Sequence, residues 1–242
     1  MNTKWLTAAL LTVAALLAGL LLVRRADPQY GTALDMPKAL PALALIDDAG
    51  RPALLNDSHG KMRLMFYGFV RCPDVCPTTL GMLARTMEDL PPQVRNKVEV
   101  QMVSVDPEFD RPKVLRDYLN RFDSSFVGLT GDVGTIDKAA QEMFVGIDRP
   151  APPMNHMDHS GHMGHMARES SAASAEGEQP AQEDTAQEGA GQGATQAALL
   201  HGDQVSVVDT AGNFVRVYGN SDVAAGHLAA DLPALAAQYS PK

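Results

Sequence analysis

The chain has 242 residues, a formal net charge of −9, 5% aromatics and only two cysteines. That acidic balance argues against nucleic acid as a partner and leaves acidic lipid surfaces unattractive, so any membrane contact has to be apolar. Sparse aromatics, with one late region swollen by Ala, Gly, Gln and Glu, imply an ordered core smaller than the length suggests.

Trp5 to Val23 is a run of nineteen residues without a charge. As a helix it would span about 28 Å, close to the roughly 30 Å hydrocarbon core of a bilayer. A cleavable signal peptide is the rival reading. Its apolar stretch is usually about 7–15 residues long, and Leu20 to Ala26 offers no good small-x-small cleavage site. Residues 1–26 are therefore read as a membrane anchor. Lys4 and the amino terminus pull one end toward the cytoplasm while Arg24 and Arg25 pull the other, and that rule alone slightly favours a cytoplasmic domain.

Residues 27–41 read as a Pro-punctuated linker, and residues 42–240 as the folded domain. Leu43 to Ile46 is a strand running into an Asp/Gly turn. Met62 to Val70 is a nearly continuous apolar run, as in a strand buried on both faces. Thr78 to Leu90 has helical spacing, with Pro77 in the first turn. Val98 to Val105 is a strand, Arg111 to Phe122 a helix, Phe126 to Leu129 a short strand and Thr135 to Val145 another helix. This alternation predicts an α/β layered domain.

From Pro150 to Ala198 the hydrophobic period vanishes. Such composition cannot bury enough apolar area to offset chain entropy, so residues 150–198 are expected to be a disordered insert. Order resumes with a hairpin, Val205 to Val208 and Phe214 to Tyr218, and a closing amphipathic helix over Val223 to Gln238.

The two cysteines, Cys72 and Cys76, sit between the buried strand and the start of a helix. Four readings stand side by side: inert buried thiols, a structural disulfide closing a very short loop, thiol–disulfide exchange, and a metal site. A helix N-terminus favours thiolate, and thiolates select Cu(I), Zn or iron–sulfur clusters over hard cations. Two sulfurs alone rarely suffice, so a metal reading asks for a third ligand.

The stretch FYGFVRCPDVCPTTL, Phe66 to Leu80, closely resembles the signature F-G-F-T-x-C-P-D-V-C-P of the Sco/SenC family of membrane-anchored copper proteins. The likeness continues in Ser104-Val-Asp-Pro-Glu108, Asp110, Pro112, Val114-Leu115, Tyr118, Phe122 and Gly128-Leu-Thr-Gly131. It covers roughly residues 40–147 and 199–238. The resemblance implies a thioredoxin-like fold, with an N-terminal transmembrane anchor and a long insert added to it here. It also implies copper as cofactor, bound as Cu(I) or Cu(II), with Cys72 and Cys76 as two ligands.

In that family the third ligand is a His within Asp-His-Ser, seven residues before the Asp of a strand-ending turn. Asp158-His159-Ser160 repeats the tripeptide, but no strand follows it. His201 has the seven-residue spacing to Asp209-Thr-Ala-Gly212 and then a strand, so His201 is the expected ligand. Leu200 and Gly202 replace the family's Asp and Ser, so any role of that Asp is missing here. The set Cys72, Cys76 and His201 is retained for Cu(I).

Met154 to Met166 packs four His and four Met into thirteen residues. Thioether suits Cu(I) and imidazole Cu(II), which makes His156, His159, His162, His165, Met154, Met157, Met163 and Met166 auxiliary copper candidates. The competing reading is a flexible, oxidisable linker.

The resemblance implies a copper chaperone for the Cu(A) centre of cytochrome c oxidase, on the oxidase's copper-bearing subunit. It implies a single-pass protein of the cytoplasmic membrane whose domain faces the periplasm. The alternative is a thiol–disulfide oxidoreductase acting on the cysteines of that oxidase site or of another periplasmic copper carrier. A third class is redox or copper sensing. No acid–base constellation for hydrolysis is apparent.

Overall fold

The computed structural model describes residues 11–13, 27–149 and 200–240. The anchor expected over Trp5 to Val23 lies outside them apart from residues 11–13, which are helical. Among the described residues no helix is long and apolar enough to cross a membrane. The insert expected over Pro150 to Ala198 also lies outside the described residues.

Among the described residues ten strands occur in order: Thr32–Ala39 (β1), Ala44–Asp47 (β2), Pro52–Leu54 (β3), Met62–Gly68 (β4), Val98–Ser104 (β5), Val127–Thr130 (β6), Ile147–Asp148 (β7), Leu200–His201 (β8), Val205–Val208 (β9) and Asn213–Tyr218 (β10). Beyond residues 11–13, the helices among the described residues are Val75–Asp89 (α1), Pro92–Arg95 (α2), Pro112–Leu119 (α3), Val133–Glu142 (α4), Asn220–Ala224 (α5) and His227–Tyr239 (α6). Eight strands form one sheet, ordered β1-β10-β9-β4-β5-β6-β2-β3, and β7 pairs with β8 in a small second sheet.

The three central strands β4, β5 and β6 run parallel, joined by helical crossovers, while β9, β10 and β1 extend the sheet antiparallel on one side. This is the mixed α/β sheet the alternation predicts. Every residue of β4 is buried, as its apolar run requires. The one charge in that strand, Arg63, is also fully buried. Its Nε donates to Ser58 Oγ and its Nη1 to the Leu55 carbonyl at 2.8 Å, which offsets part of the desolvation cost.

Several expectations are corrected. Residues 32–39, read as linker, form β1 on the sheet edge, paired with β10 and interrupted by a bulge between Ala33 and Lys38. Pro37 is tolerated because it sits at that edge irregularity, where a missing N–H costs least. The closing helix is split, because Gly226 adopts a left-handed φ of 77° between α5 and α6. Helix α1 starts at Val75 rather than Thr78, so Cys76 lies inside its first turn.

Candidate metal centre

The end of β4 delivers the chain into a tight loop. The Cys72 amide donates to the Phe69 carbonyl at 3.2 Å, and helix α1 begins three residues later. A helix start leaves its first amides without partners. Asp74, at the N-cap, supplies no side-chain hydrogen bond. Instead the Cys76 amide donates to Cys72 Sγ at 3.4 Å, so one cysteine caps the turn that carries the other. Neither is in a disulfide; Cys72 is half-buried and Cys76 fully buried.

The helix N-terminus does not make both sulfurs thiolates, as the sequence suggested. Burial pushes the Cys76 thiol well above its usual range, and its hydrogen bond with Cys72 adds to the rise. A backbone hydrogen bond from Phe69 opposes this only in part. In the metal-free protein burial therefore favours the neutral thiol at Cys76.

Packing holds the Cys76 sulfur in place. A Cβ on Gly68 would lie 2.7 Å from the Phe66 ring and 3.0 Å from Cys76 Sγ, so only glycine fits at the end of β4. Behind the loop, Asp110 is fully buried. Its Oδ2 accepts the Ser104 hydroxyl at 2.7 Å and the Val70 amide at 3.0 Å. Its Oδ1 has no hydrogen-bond partner among the described residues. Burial lifts the carboxyl to about 6, against those two hydrogen bonds, which favour the charged form.

Asp106 reinforces the same corner. Its amide donates to Ser104 Oγ at 3.0 Å, and its Oδ2 accepts Arg71 Nη2 at 2.7 Å. Arg71 also lies over the Phe109 ring, 4.3 Å from the centroid. Tyr118, from α3, has a buried hydroxyl with no partner among the described residues. Burial depresses its acidity.

Ser104, Asp106, Asp110 and Tyr118 were legible only as parts of a matching motif. Their role as the wall and fastening of the cysteine loop was not. The available signal was an acidic residue six positions after a strand serine, in a loop that also follows a parallel strand.

His201 lies in β8, and its side chain is outside what the structure describes. Its backbone position is informative. The Gly202 amide donates to the Gly146 carbonyl, and the chain then enters β9, whose Val205 pairs with Phe66 of β4. Since β9 runs opposite to β4, residues just before Val205 lie toward the end of the sheet where β4 meets the cysteine loop. The described residues contain no cluster of three or more His, Cys, Asp or Glu around a common point. What the described structure does contribute is a soft donor pair at one strand–helix junction, tied by the Cys76 amide donating to Cys72 Sγ, which fits a thiophilic ion. Met154, His156, Met157, His159, His162, Met163, His165 and Met166 lie outside the described residues.

Residues 35–191 match the family model SCO1/SenC. The chain belongs to the SCO1/SenC family. A relative from Stutzerimonas stutzeri described by copper binding is 30% identical over 145 residues, covering 59% of this chain and 71% of its own. Protein sco1 of Schizosaccharomyces pombe is 32% identical over 129 residues, covering 53% of this chain and 49% of its own. Among solved structures, apo Sco1 from Thermus thermophilus aligns with a TM-score of 0.59 and 30% identity, covering 88% of this chain and 99% of its own. Copper-bound ScoI of Bradyrhizobium japonicum aligns with a TM-score of 0.55 at 23% identity, over 84% of this chain and 99% of its own, a likeness of fold alone. The SCO1/SenC chain described here thus shares its mixed α/β architecture with Sco proteins solved both without and with copper.

Proposed function

We propose that this SCO1/SenC protein binds copper through Cys72, Cys76 and His201 and delivers it to the Cu(A) centre during cytochrome c oxidase assembly. The observation that carries this reading is the Cys72–Cys76 contact, a pair of sulfurs held at a strand–helix junction. Relatives whose names and structures concern copper support it. The two sulfurs supply soft donors, and His201 adds an imidazole from the strand that precedes β9. Residues 5–23 anchor the domain to the cytoplasmic membrane, facing the periplasm, and the His/Met run at 154–166 collects further copper. The recipient is the copper-bearing oxidase subunit.

Competition with a Cu(I) chelator tests the ligand set on reduced protein. Cys72→Ser, Cys76→Ser and His201→Ala should each weaken the tight site. Unchanged affinity in His201→Ala, with residues 150–198 also deleted, would remove His201 from the set.

The same contact supports a second reading, thiol–disulfide exchange. Here Cys72 and Cys76 are oxidised to a disulfide while a disulfide in the recipient takes up two electrons and two protons. Only the copper reading needs His201. A His201→Ala protein that still reduces a copper-site disulfide yet no longer holds copper separates the two.

A further inference from the structure

Residues 29–31 lie beside the cysteine end of the sheet, docked against α6. Asp231, buried in α6, accepts the Gln29 amide on one carboxylate oxygen and the Tyr30 amide on the other, both at 2.8 Å. Tyr218 also donates its hydroxyl to Asp231 at 2.8 Å. The Tyr30 ring stacks on His227 with centroids 4.0 Å apart, and His227 Nδ1 lies 3.0 Å from Asp222 Oδ1. Arg216 Nη1 donates to the Tyr30 carbonyl. Gly31 then turns with a φ of 65°, where a Cβ would strike Tyr218, and β1 starts at Thr32 opposite Val217. Residues 29–31 are thus part of the fold and not a slack tether.

Strand register says which end of the sheet this is. Tyr218 pairs with Val205, and Val205 pairs with Phe66, so Gly31 and the last residues of β4 lie toward one end. Three strand steps, about 14 Å, separate β1 from β4. Direct contacts close the same gap. Thr79, one turn along α1 from Cys76, donates its hydroxyl to Asn220 Oδ1 at the start of α5. Helix α5 carries Asp222, which meets His227, which stacks on Tyr30.

We propose that residues 29–31 act as a rigid mount, holding the end of the sheet that bears Cys72 and Cys76 toward the bilayer surface. This rests on the reading of residues 5–23 as an anchor. From Val23 to Gln29 the chain advances six residues, so the mount lies within about 20 Å of the last anchor residue. A mount this close and this well fastened restricts rotation of the domain, and the cysteines are presented to whatever protrudes from that same membrane.

The test uses the full chain in phospholipid vesicles containing a lipid with a gadolinium-chelate headgroup. A nitroxide, attached through p-acetylphenylalanine so that the cysteines stay untouched, replaces either Glu108 or Lys97. Glu108 is exposed in the loop beyond the cysteine end of β5, and Lys97 is exposed just before its opposite end. Relaxation enhancement should be several-fold greater at position 108 than at position 97. A flexible Gly/Ser spacer of roughly ten residues between Asp27 and Pro28 should erase most of that contrast, because it keeps the docking but frees the mount from the membrane. Equal enhancement at both positions in protein that floats with the vesicles would overturn the orientation alone. Contrast that survives the spacer would overturn the mount as its cause. Protein that does not float with vesicles would overturn the anchor reading and the proposal with it.

Discussion

The backbone amide of Cys76 points at the sulfur of Cys72, 3.4 Å away. This places Cys72 two residues before the N-cap of α1, where its sulfur serves as the cap that Asp74 does not provide. The four-residue reach from Cys72 to Cys76 is what the Cys-Pro-Asp-Val-Cys spacing allows. A sulfur committed to the helix start is held beside the second sulfur before any ion arrives, which lowers the ordering cost of binding.

Removing that cap should be measurable without copper. Cys72→Ala is expected to cost the reduced domain about 0.5–1 kcal/mol, at the low end for a lost N-cap because sulfur is a weak acceptor. Urea unfolding under reductant checks it. A loss well above that range would mean that Cys72 contributes mainly through packing.

Gly68 has no room for a side chain. Gly68→Ala should destabilise the domain by about 1–3 kcal/mol, the usual penalty of overpacking, since the Phe66 ring and Cys76 Sγ both have to move. The same shift should weaken Cu(I) binding. Thermal unfolding and chelator competition read the two effects separately, and a variant with wild-type values in both would contradict the close packing.

The buried Asp110 makes apo stability depend on pH. Its folded-state value of about 6 lies above the ordinary 3.8 of an exposed aspartate, so the folded state binds the proton more tightly than the unfolded chain. Stability from this group is fully present below pH 4 and is lost as pH rises through about 6, on the order of 3 kcal/mol over that window. Asp110→Asn should flatten this component. The comparison is urea midpoints of the reduced, copper-free wild type and variant at several pH values from 4 to 7. A difference between the two that stays constant with pH would rule out this titration.

Asp231 fastens the amino-terminal segment. Asp231→Ala removes three acceptor contacts and leaves the buried Tyr218 hydroxyl unsatisfied, for an expected loss of about 2–4 kcal/mol. Amide exchange at Gln29 and Tyr30 should accelerate more than exchange at the β4 amides. Uniform acceleration would show global destabilisation without a local fastening.

Copper binding should require reduced thiols, because a disulfide sulfur is a poor copper ligand. Fully oxidised protein is expected to lose the tight Cu(I) site and recover it on reduction. Deleting residues 150–198 should lower the total copper bound while sparing that site. An oxidised protein that retains Cu(I) at full affinity would exclude thiolate ligation.

The amino-acid order alone specified the central architecture, because burial on both faces leaves a local mark. The apolar run from Met62 to Val70 reads as a strand buried on both faces, and its alternation with amphipathic segments predicts helices on the sheet. The cysteine spacing and the flanking motif likewise lie in one continuous stretch, so they were legible without coordinates. Strand β1 was not. Most of its residues are exposed, and its segment reads as linker. It becomes a strand only because β10 offers an unpaired edge and Asp231, about two hundred residues away in sequence, captures the Gln29 and Tyr30 amides. The Cys76 thiol illustrates the same division. A helix start is a local feature and predicted a thiolate, whereas desolvation depends on Gly68, Phe66 and the rest of the packed core around it. Asp110 is likewise fully buried only in the folded chain, where its carboxylate meets the Val70 amide forty residues away. Backbone periodicity is a short-range property, but a dielectric environment is assembled from residues that only the tertiary fold brings together.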